Sequence, residues 1–543
     1  MTLDLPSTGT EQPPLFVDAE QCRAWCAALP LTNPIQAQAQ LLRQMHLLNR
    51  FTLDGATRLA LLELLREPVY FVQGESAKKF AGRPLPLAPP EQAAFDTAHS
   101  LWQALAVGYL RCLDGMGGAD GASAARVCQR VLAALVDDLA DVTRAGHQPD
   151  AAHWRRAHAA FAAAEQQAAA GLAVEDALRG GQAATTTETY VELMLLAAAN
   201  LHELTPRQQG WAMRWAHRWA GKVSIHSAPP PESPALPLCV DLAGTEPARF
   251  KPHAGDGARW LDTAELRKSL KKRLRLLAEG GEESAPEKLG LGADCSQPAC
   301  GDALRRIYPR WVKGGVLRRH DRHPMHGACR FVVGVDAIHY YLSGSQPFKP
   351  PGSASSDELR RQREELATFG RVAARFEDEY SRNHGYQLEN WEVVEDWGLI
   401  DQSSGGLRLE RPLKQTGGRL AIGQLVAVRP AGANGLLLGA VRWAQVIDDN
   451  LSAGIHLFPG KPLPVAVRGT GAMAAREPYR PGFLLPPVEA LELSACAVLP
   501  PGGFKPNRIM EVWFEEKTRR IRLKAIVDRG ADYERAACEE IVD

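Results

Sequence analysis

The fold is decided by one short stretch of the chain, Trp397-Gly-Leu-Ile-Asp401-Gln-Ser403-Ser-Gly-Gly406-Leu407-Arg-Leu409. Side chains alternate faces along a β-strand, so the pattern predicts that Asp401 and Ser403 point to the same side. Gly406 is predicted to let the backbone fold tightly behind them, because glycine lacks a Cβ. The stretch therefore predicts an acceptor and a hydroxyl side by side on one strand.

Two arginines lie upstream, in the turn-rich segment Arg318-Arg-His-Asp-Arg322, which leads into the apolar strand pattern Arg330-Phe-Val-Val-Gly-Val335. Guanidinium groups bind phosphate oxygens and the O6/N7 edge of guanine bidentately, and they stack on purines. A carboxylate can take the opposite guanine edge. RxxxR followed by DxSxxG resembles the signature of the PilZ domain, a small bacterial β-barrel that binds cyclic di-GMP.

The resemblance implies a role for each of these residues. Arg318 and Arg322 are expected to hold guanine and phosphate, Asp401 and Ser403 to contact guanine, and Gly406 to shape the turn. Cyclic di-GMP is the expected ligand, and neither a cofactor nor a metal is expected.

The resemblance covers about residues 316–342 and 389–470. Downstream of the second motif, the patterns at 420–428, 436–443 and 453–458 predict further strands of the barrel. Residues 343–388 form an extra block between the two motifs. Its first part is rich in Gly, Pro and Ser, and its second part, Asp357 to Tyr380, has helical spacing, so a loop and helix inserted into the barrel are predicted.

Composition narrows the function classes. The chain has 543 residues, 45% of them hydrophobic, and its formal net charge is zero. Zero net charge argues against a nucleic acid polymer or an anionic membrane as the main partner. No apolar run is long enough to span a bilayer, so no membrane insertion and a cytoplasmic location are expected.

The ten cysteines are scattered along the chain. Such spacing predicts reduced, mostly buried thiols. A zinc site is the alternative, because thiolates and imidazoles are zinc ligands and Cys295-x4-Cys300 precedes three histidines and Cys329. The spacing fits no compact zinc module.

Residues 15 to about 225 are predicted to be helical, as an antiparallel bundle or a solenoid-like stack. Asn33-Pro34 and Thr205-Pro206 predict helix starts, and Trp211, Trp215 and Trp219 form a stripe predicted to lie in the core. Asp262-Thr-Ala-Glu265 predicts a capping box before a basic amphipathic helix. That basic helix could lie on a membrane or nucleic acid, or pack by its leucines with a solvated basic face.

The predicted fold class is multidomain α + β: an N-terminal all-α region, a PilZ-like antiparallel β-barrel with an inserted helix, and a further β unit. A proline-rich linker at Ala228–Pro234 is the strongest predicted domain boundary. The predicted parts are a disordered N-terminus (1–14), a helical domain (15–227), a linker (228–236), a connecting strand and basic helix (237–315), the barrel (316–470) and the additional β unit (471–543).

The sequence fits two classes of function and argues against a third. The first is a cyclic di-GMP receptor that couples ligand binding to a protein partner of the helical region. The second is a non-catalytic scaffold with a degenerate barrel. An enzyme is not expected, because the sequence has no Walker loop, GxSxG elbow, HExxH motif or CxxC pair.

Overall fold

The structure is a computed structural model. It describes residues 5–9, 12–115, 120–230, 236–281, 284–314, 321–349, 394–470 and 477–541. The chain divides into two compact units, one ending at Arg318 and the other beginning at Arg319. Helices dominate the first unit and two closed six-stranded barrels dominate the second, so the predicted α + β multidomain class is confirmed.

The helical region is confirmed as well. Its described residues form α1 (Ala19–Ala27), α2 (Pro34–Arg50), α3 (Gly55–Phe80), α4 (Pro89–Gly115), α5 (Gly121–Arg144), α6 (Ala151–Gln166), the short strands β1 (Ala173–Val174) and β2 (Ala184–Thr185), α7 (Thr186–Ala198) and α8 (Pro206–Trp219). Residues 5–9 differ from the predicted disorder: Leu5 packs against the core, and the Gly9 amide donates to the Arg50 carbonyl at 3.0 Å.

Side-chain caps start these helices where the sequence predicts. The Asn33 side chain accepts from the Gln36 amide at 3.4 Å, and Pro34 is the first residue of α2. Thr205 and Gln208 form a reciprocal capping box at the start of α8. Each cap satisfies a backbone N–H that the helix itself leaves unpaired.

The tryptophan stripe of α8 lies in the core, as predicted. Trp211, Trp215 and Trp219 are fully buried, and successive rings stack with centroids 6.5 and 5.9 Å apart. The edge of Trp311 meets Trp219, and the guanidinium of Arg273 lies 5.0 Å from the centre of the Trp219 ring. The stripe therefore joins α8 to the segments that follow it in the chain.

The hydrophobic core of the first unit continues past the proline-rich segment. Beyond that segment the chain adds β4 (Leu238–Asp241) and β5 (Ala258–Asp262), and then α9 (Ala264–Glu279) and α10 (Ala299–Val312). β5 is the central strand of a three-stranded sheet and pairs with both β4 and β3 (Ser224–His226). Leu238, Leu266 and Trp311 belong to the same buried cluster as the helical bundle. The division of the chain thus falls near residue 318 rather than at the predicted linker, because apolar contacts bind 236–312 to the helices.

The predicted capping box before α9 is wrong. Thr263 is the residue that precedes the helix, and its side chain makes no capping bond. Instead, the Asp262 carboxylate accepts from the Ala264 amide at 2.9 Å. Leu266 and Leu270 of α9 are buried, which supports a helix packed by its leucines.

The prediction of uniformly reduced cysteines is also wrong. Cys295 and Cys300 form a disulfide. Cys300 lies in the first turn of α10 and Cys295 just before the helix, and both are buried, so the fold brings the two sulfur atoms together away from water. Because these sulfurs bond to each other, they cannot serve as thiolate ligands in the alternative zinc site. The other eight cysteines, all among the described residues, are free.

The first barrel contains the two sequence motifs. Its strands are β6 (His323–Val333), β7 (Glu395–Ser403), β8 (Gly406–Pro412), β9 (Leu425–Pro430), β10 (Leu437–Ile447) and β11 (Asn450–Leu457), closed in the order β10-β11-β8-β7-β6-β9. The strands predicted at 420–428, 436–443 and 453–458 are present with shifted ends. Val335, predicted as strand, instead begins α11 (Val335–Leu342).

The extra block enters the barrel at one end of the β6–β7 pair. The chain leaves β6 through α11 and returns just before Glu395. The predicted helix at 357–380 lies outside the described residues. Because β6 and β7 are antiparallel, Ser403 at the end of β7 meets the start of β6, one strand length from this connection. The block therefore does not interrupt the pairing between the two motifs.

The additional β unit is a second closed barrel, and it begins earlier than predicted. Its strands are β12 (Leu463–Gly469), β13 (Arg480–Leu485), β14 (Cys496–Leu499), β15 (Ile509–Phe514), β16 (Lys517–Arg529) and β17 (Glu534–Ile541). β12, which was assigned to the first barrel, pairs with β13 and β15. The turn between β15 and β16 places Glu515 and Glu516 both in the left-handed region.

A buried ion pair fixes one end of β7. Glu395 and Arg411 are both almost fully buried, and Arg411 Nη1 donates to Glu395 Oε2 at 2.7 Å. The same oxygen accepts from the Trp397 indole, and the other oxygen accepts from the Gly418 amide. Arg411 also donates to the Gly418 carbonyl at 3.0 Å. This network ties β7, β8 and the loop after β8 together.

Replacing Glu395 by Gln should loosen the first barrel, because a buried guanidinium without its carboxylate costs about 3–5 kcal/mol. We expect faster hydrogen exchange in peptides from residues 395–412 of Glu395→Gln. Glu540→Gln is the control, because the Arg519–Glu540 pair is half exposed and such pairs contribute about 0–1 kcal/mol. Equal exchange in both variants would contradict a structural role for the buried pair.

Candidate ligand-binding site

Strand register brings the two motifs together. His323 pairs with Gln402, and Pro324 pairs with Asp401, so Arg322 enters β6 beside the end of β7. Its Nη1 lies 2.9 Å and 3.2 Å from the two carboxylate oxygens of Asp401. The inserted block therefore does not separate Arg322 from Asp401, two of the predicted site residues.

Ser403 and Gly406 close the hairpin between β7 and β8. They are paired residues, and the Ser403 hydroxyl donates to the Gly406 carbonyl at 3.3 Å. A Cβ at position 406 would lie only 2.5 Å from the Ile455 carbonyl of β11. Gly406 is thus required by the close approach of a neighbouring strand, whereas the sequence suggested only a tight turn.

Register also reveals a row of outward-facing residues that the sequence analysis missed. Asp401 pairs with Arg408 on β8, Arg408 pairs with Gly454 on β11, and Gly454 pairs with Trp443 on β10. The neighbours of Arg408, Leu407 and Leu409, are buried in the barrel, so Arg408 faces outward. We call Arg322, Asp401, Arg408, Gly454 and Trp443 the outer row.

The Trp443 indole folds back across the outer row. A Cβ at Gly454 would overlap the five-membered part of this ring, so only glycine leaves room for it. Strands lie about 4.8 Å apart, which places the ring about 10 Å from the backbone of Asp401, over the second strand from it. An aromatic ring, two guanidinium groups and a carboxylate thus lie on one outer surface.

Three β-bulges flank the outer row. The register shifts between Pro324 and Gly327 in β6, between Leu399 and Asp401 in β7, and between Val441 and Trp443 in β10. A bulge re-aims the side chains that follow it, and bulges are frequent beside functional sites. Asp401 and Trp443 each come directly after one, which sets the directions of both side chains.

The charges of the outer row are paired within the protein. Arg408 Nη2 donates to Glu410 at 2.6 Å, and the Ser452 hydroxyl donates to the same carboxylate oxygen at 3.2 Å. A bound ligand can replace these internal partners, because a phosphate can pair with an arginine and a base edge can hydrogen-bond to a carboxylate.

Arg318 lies outside the described residues, so its predicted role stays a prediction. Within the described ranges, no three His, Cys, Asp or Glu side chains converge as metal ligands would.

The missed residues left only a weak signal in the sequence. Arg408 follows the DxSxxG motif in the alternating pattern Gly-Leu-Arg-Leu-Glu, which marks it as outward. Trp443 ends the predicted strand 436–443, but its partner depends on the register of four strands and on a bulge. Neither the register of these strands nor the position of the bulge can be predicted from a single sequence.

Comparison with known proteins supports a common family. The family model described as the N-terminal domain of the cyclic-di-GMP receptor FimW matches residues 20–232. The model described as the FimW C-terminal beta-barrel domain matches residues 465–540, the range of the second barrel. A Pseudomonas aeruginosa protein named cyclic-di-GMP receptor FimW is 23% identical, over an alignment that covers 96% of this chain and 91% of that protein.

None of the helices in the described residues combines the length and apolarity needed to cross a bilayer.

The two family models match in their expected order and together span more than half of the chain, and the relative aligns along nearly all of it. The predicted resemblance to a PilZ-type receptor with a large helical region is thereby confirmed, and the chain belongs to the FimW family.

Proposed function

We propose that this chain is a receptor that binds cyclic di-GMP on the outer row of its first barrel, in the bacterial cytoplasm. The observation that carries the proposal is the register that sets Arg322 against Asp401 on the outer face of the barrel. The relative's printed name, a cyclic-di-GMP receptor, supports the same ligand.

The Arg322–Asp401 pair suits a ligand-free state. Both side chains are partly exposed, and exposed ion pairs contribute only about 0–1 kcal/mol. A bound nucleotide can therefore separate these two side chains at a small cost in free energy. The freed guanidinium then binds a phosphate or the O6/N7 edge of guanine, and the carboxylate accepts from the opposite guanine edge.

Arg408 and Trp443 extend the proposed site beyond the two motifs. Purines stack on aromatic rings, and such a contact is worth about 1–3 kcal/mol per base. The ring of Trp443 lies within reach of a base whose edge is held by Asp401. Arg408 lies between them and offers a second cation to the phosphates. Arg318 is proposed to bind guanine and phosphate together with Arg322, because it is the first arginine of the RxxxR motif.

We also propose that ligand binding changes how the helical region meets a protein partner. A ligand shifts such an equilibrium only when the two states of the protein bind it with different affinity. The proposed activity is binding rather than catalysis, as the name of the relative also implies. A scaffold with a barrel that no longer binds the nucleotide is the alternative.

Arg322→Ala should weaken cyclic di-GMP binding by about 1.5–3 kcal/mol, the contribution of a hydrogen bond to a charged group. Calorimetric titration of the full chain measures this, with GTP as the ligand control. Arg330→Ala is the matched variant, because Arg330 is an exposed arginine on the same strand. Absence of binding to the wild type would favour the scaffold alternative, and equal affinity of the two variants would remove Arg322 from the site.

Gly454→Ala should also weaken binding, by about 1–3 kcal/mol, because the new methyl group displaces the Trp443 ring from the outer row. No group of the proposed site is removed by this change. Gly435→Ala is the control, since a Cβ at position 435 has open space around it. Calorimetric affinities with thermal melts of both variants test the idea. A folded Gly454→Ala with wild-type affinity would exclude Trp443 as a stacking surface.

A further inference from the structure

The helix α9 presents a cationic surface that has no role in the proposed nucleotide site. α9 carries six cationic side chains and two carboxylates. Five of the cations recur at spacings of three and four residues, which places them on one side of the helix. We call this side the basic face of α9. It consists of Arg267, Lys268, Lys271, Lys272 and Arg275.

The opposite side of α9 holds the helix against the core of the helical unit. Leu266 and Leu270 are fully buried in that core. The sixth cation, Arg273, also turns inward, and its Nε donates to the Leu289 carbonyl at 2.7 Å. The basic face is therefore fixed toward the outside, because a rotation of the helix would expose its leucines to water.

The lysines of the basic face lack an anionic partner within the described part of the chain. Lys268, Lys271 and Lys272 are exposed, and none of them forms an ion pair there. Arg275 pairs with Glu279 at 3.4 Å, but both side chains are more than half exposed, so the pair contributes little. The basic face thus carries a surplus of positive charge, although the net charge of the whole chain is zero.

Like charges lie one helical turn apart along this face. Lys271 is four residues from both Arg267 and Arg275. Lys272 is likewise four residues from Lys268. Like charges at this spacing repel each other and destabilise a helix. An anionic partner would relieve this repulsion in addition to attracting each cation directly.

The neighbouring helix α10 extends the cationic surface. Lys313, exposed just after α10, has its Nζ 5.3 Å from the centre of the Tyr308 ring. Burial raises the pKa of Tyr308, and the positive charge of Arg267 opposes this rise. Arg267 and Lys313 therefore both lie near this ring, so the positive charge continues from α9 to the end of α10.

Carboxylates mark both ends of α9 and limit the kind of partner that fits. Glu265 and Glu279 are exposed in its first and last turns, about 21 Å apart at 1.5 Å per residue. A nucleic acid or an anionic membrane presents negative charge without such limits and would meet both carboxylates. α9 also has no aromatic side chain for stacking of bases, and its leucines pack against the core instead of lipid. A short acidic segment avoids these conflicts.

We propose that the basic face of α9 is a docking site for an acidic segment of a partner protein, a stretch rich in Asp and Glu that spans about three helical turns. Single exposed charge pairs are weak, but complementary groups of charges determine specificity and the rate of association. The inference goes beyond the proposed receptor function, because it requires neither the nucleotide nor the barrels.

The test uses the full chain without nucleotide, at low ionic strength, where exposed charges are least screened. The probe is a fluorescent, blocked peptide that repeats Glu-Glu-Ala-Ala three times, and the control peptide repeats Gln-Gln-Ala-Ala. Fluorescence anisotropy measures the affinity of each peptide. We expect binding of the acidic peptide only. Equal binding of the two peptides, or no binding of the acidic one, would overturn the proposal.

A triple variant locates the binding surface. Lys268→Gln, Lys271→Gln and Lys272→Gln together should weaken the acidic peptide about tenfold, because three exposed charge pairs are lost. The melting temperature of this variant should equal or exceed that of the wild type, because repulsion along α9 is reduced. A folded triple variant with wild-type affinity for the acidic peptide contradicts the proposal.

The matched control makes the same change in net charge elsewhere on the surface. Lys251→Gln, Lys414→Gln and Lys505→Gln replace three exposed lysines outside α9. We expect this control to bind the acidic peptide nearly as the wild type does. Equal weakening in the two triple variants would show that the peptide responds only to overall charge, and it would exclude α9 as the docking site.

Two other probes distinguish the class of partner. Vesicles that contain phosphatidylserine represent an anionic membrane, and single-stranded oligothymidylate represents a nucleic acid. The measured quantity is the loss of affinity that the α9 triple variant causes for each probe. A larger loss for the acidic peptide supports a protein segment, and a larger loss for either other probe would overturn this assignment. The calorimetric titration with cyclic di-GMP is independent of these outcomes, so the two proposals are tested separately.

Discussion

The backbone hydrogen bonds between β6 and β7 are the constraint on which the proposed site depends. A shift of one residue in their register would turn Asp401 away from the outer face and separate it from Arg322. Apolar side chains resist this shift, because Cys329, Phe331, Trp397 and Leu399 of the two strands are buried in the barrel. The site is therefore positioned by core packing on the opposite face of the same strands.

The two barrels of the second unit are joined by packing and by hydrogen bonds. Phe458, just after β11, contacts the Tyr533 ring at 5.4 Å and the Arg535 guanidinium at 4.3 Å. The Leu425 amide donates to Asp532 at 2.8 Å. β11 also carries Gly454 of the outer row, so one strand contributes to the proposed ligand surface and leads directly to the contact between barrels. A change at the outer row thus has a short structural connection to the second barrel.

Local signals in the sequence predicted much of this structure. Asn33-Pro34, Thr205-Pro206 and the tryptophan stripe act within a few residues, and each was found where expected. The DxSxxG stretch predicted the shared face of Asp401 and Ser403 for the same reason. Features that depend on distant pairing were missed: the Cys295–Cys300 bond, the start of the second barrel, and the position of Trp443 over Gly454. A proline-rich segment marks a stiff connection, but it does not reveal that later residues return to the same core.

Binding of cyclic di-GMP to the outer row of the first barrel, as proposed here, would protect the backbone amides around that row. Hydrogen exchange of the full chain with and without the nucleotide tests it most directly. We expect slower exchange in peptides covering 321–324, 399–408 and 441–456, and unchanged exchange at the opposite ends of β6 and β7, near 331–333 and 395–397. Protection confined to the second barrel, or absent from all three peptides at saturating ligand, would contradict it.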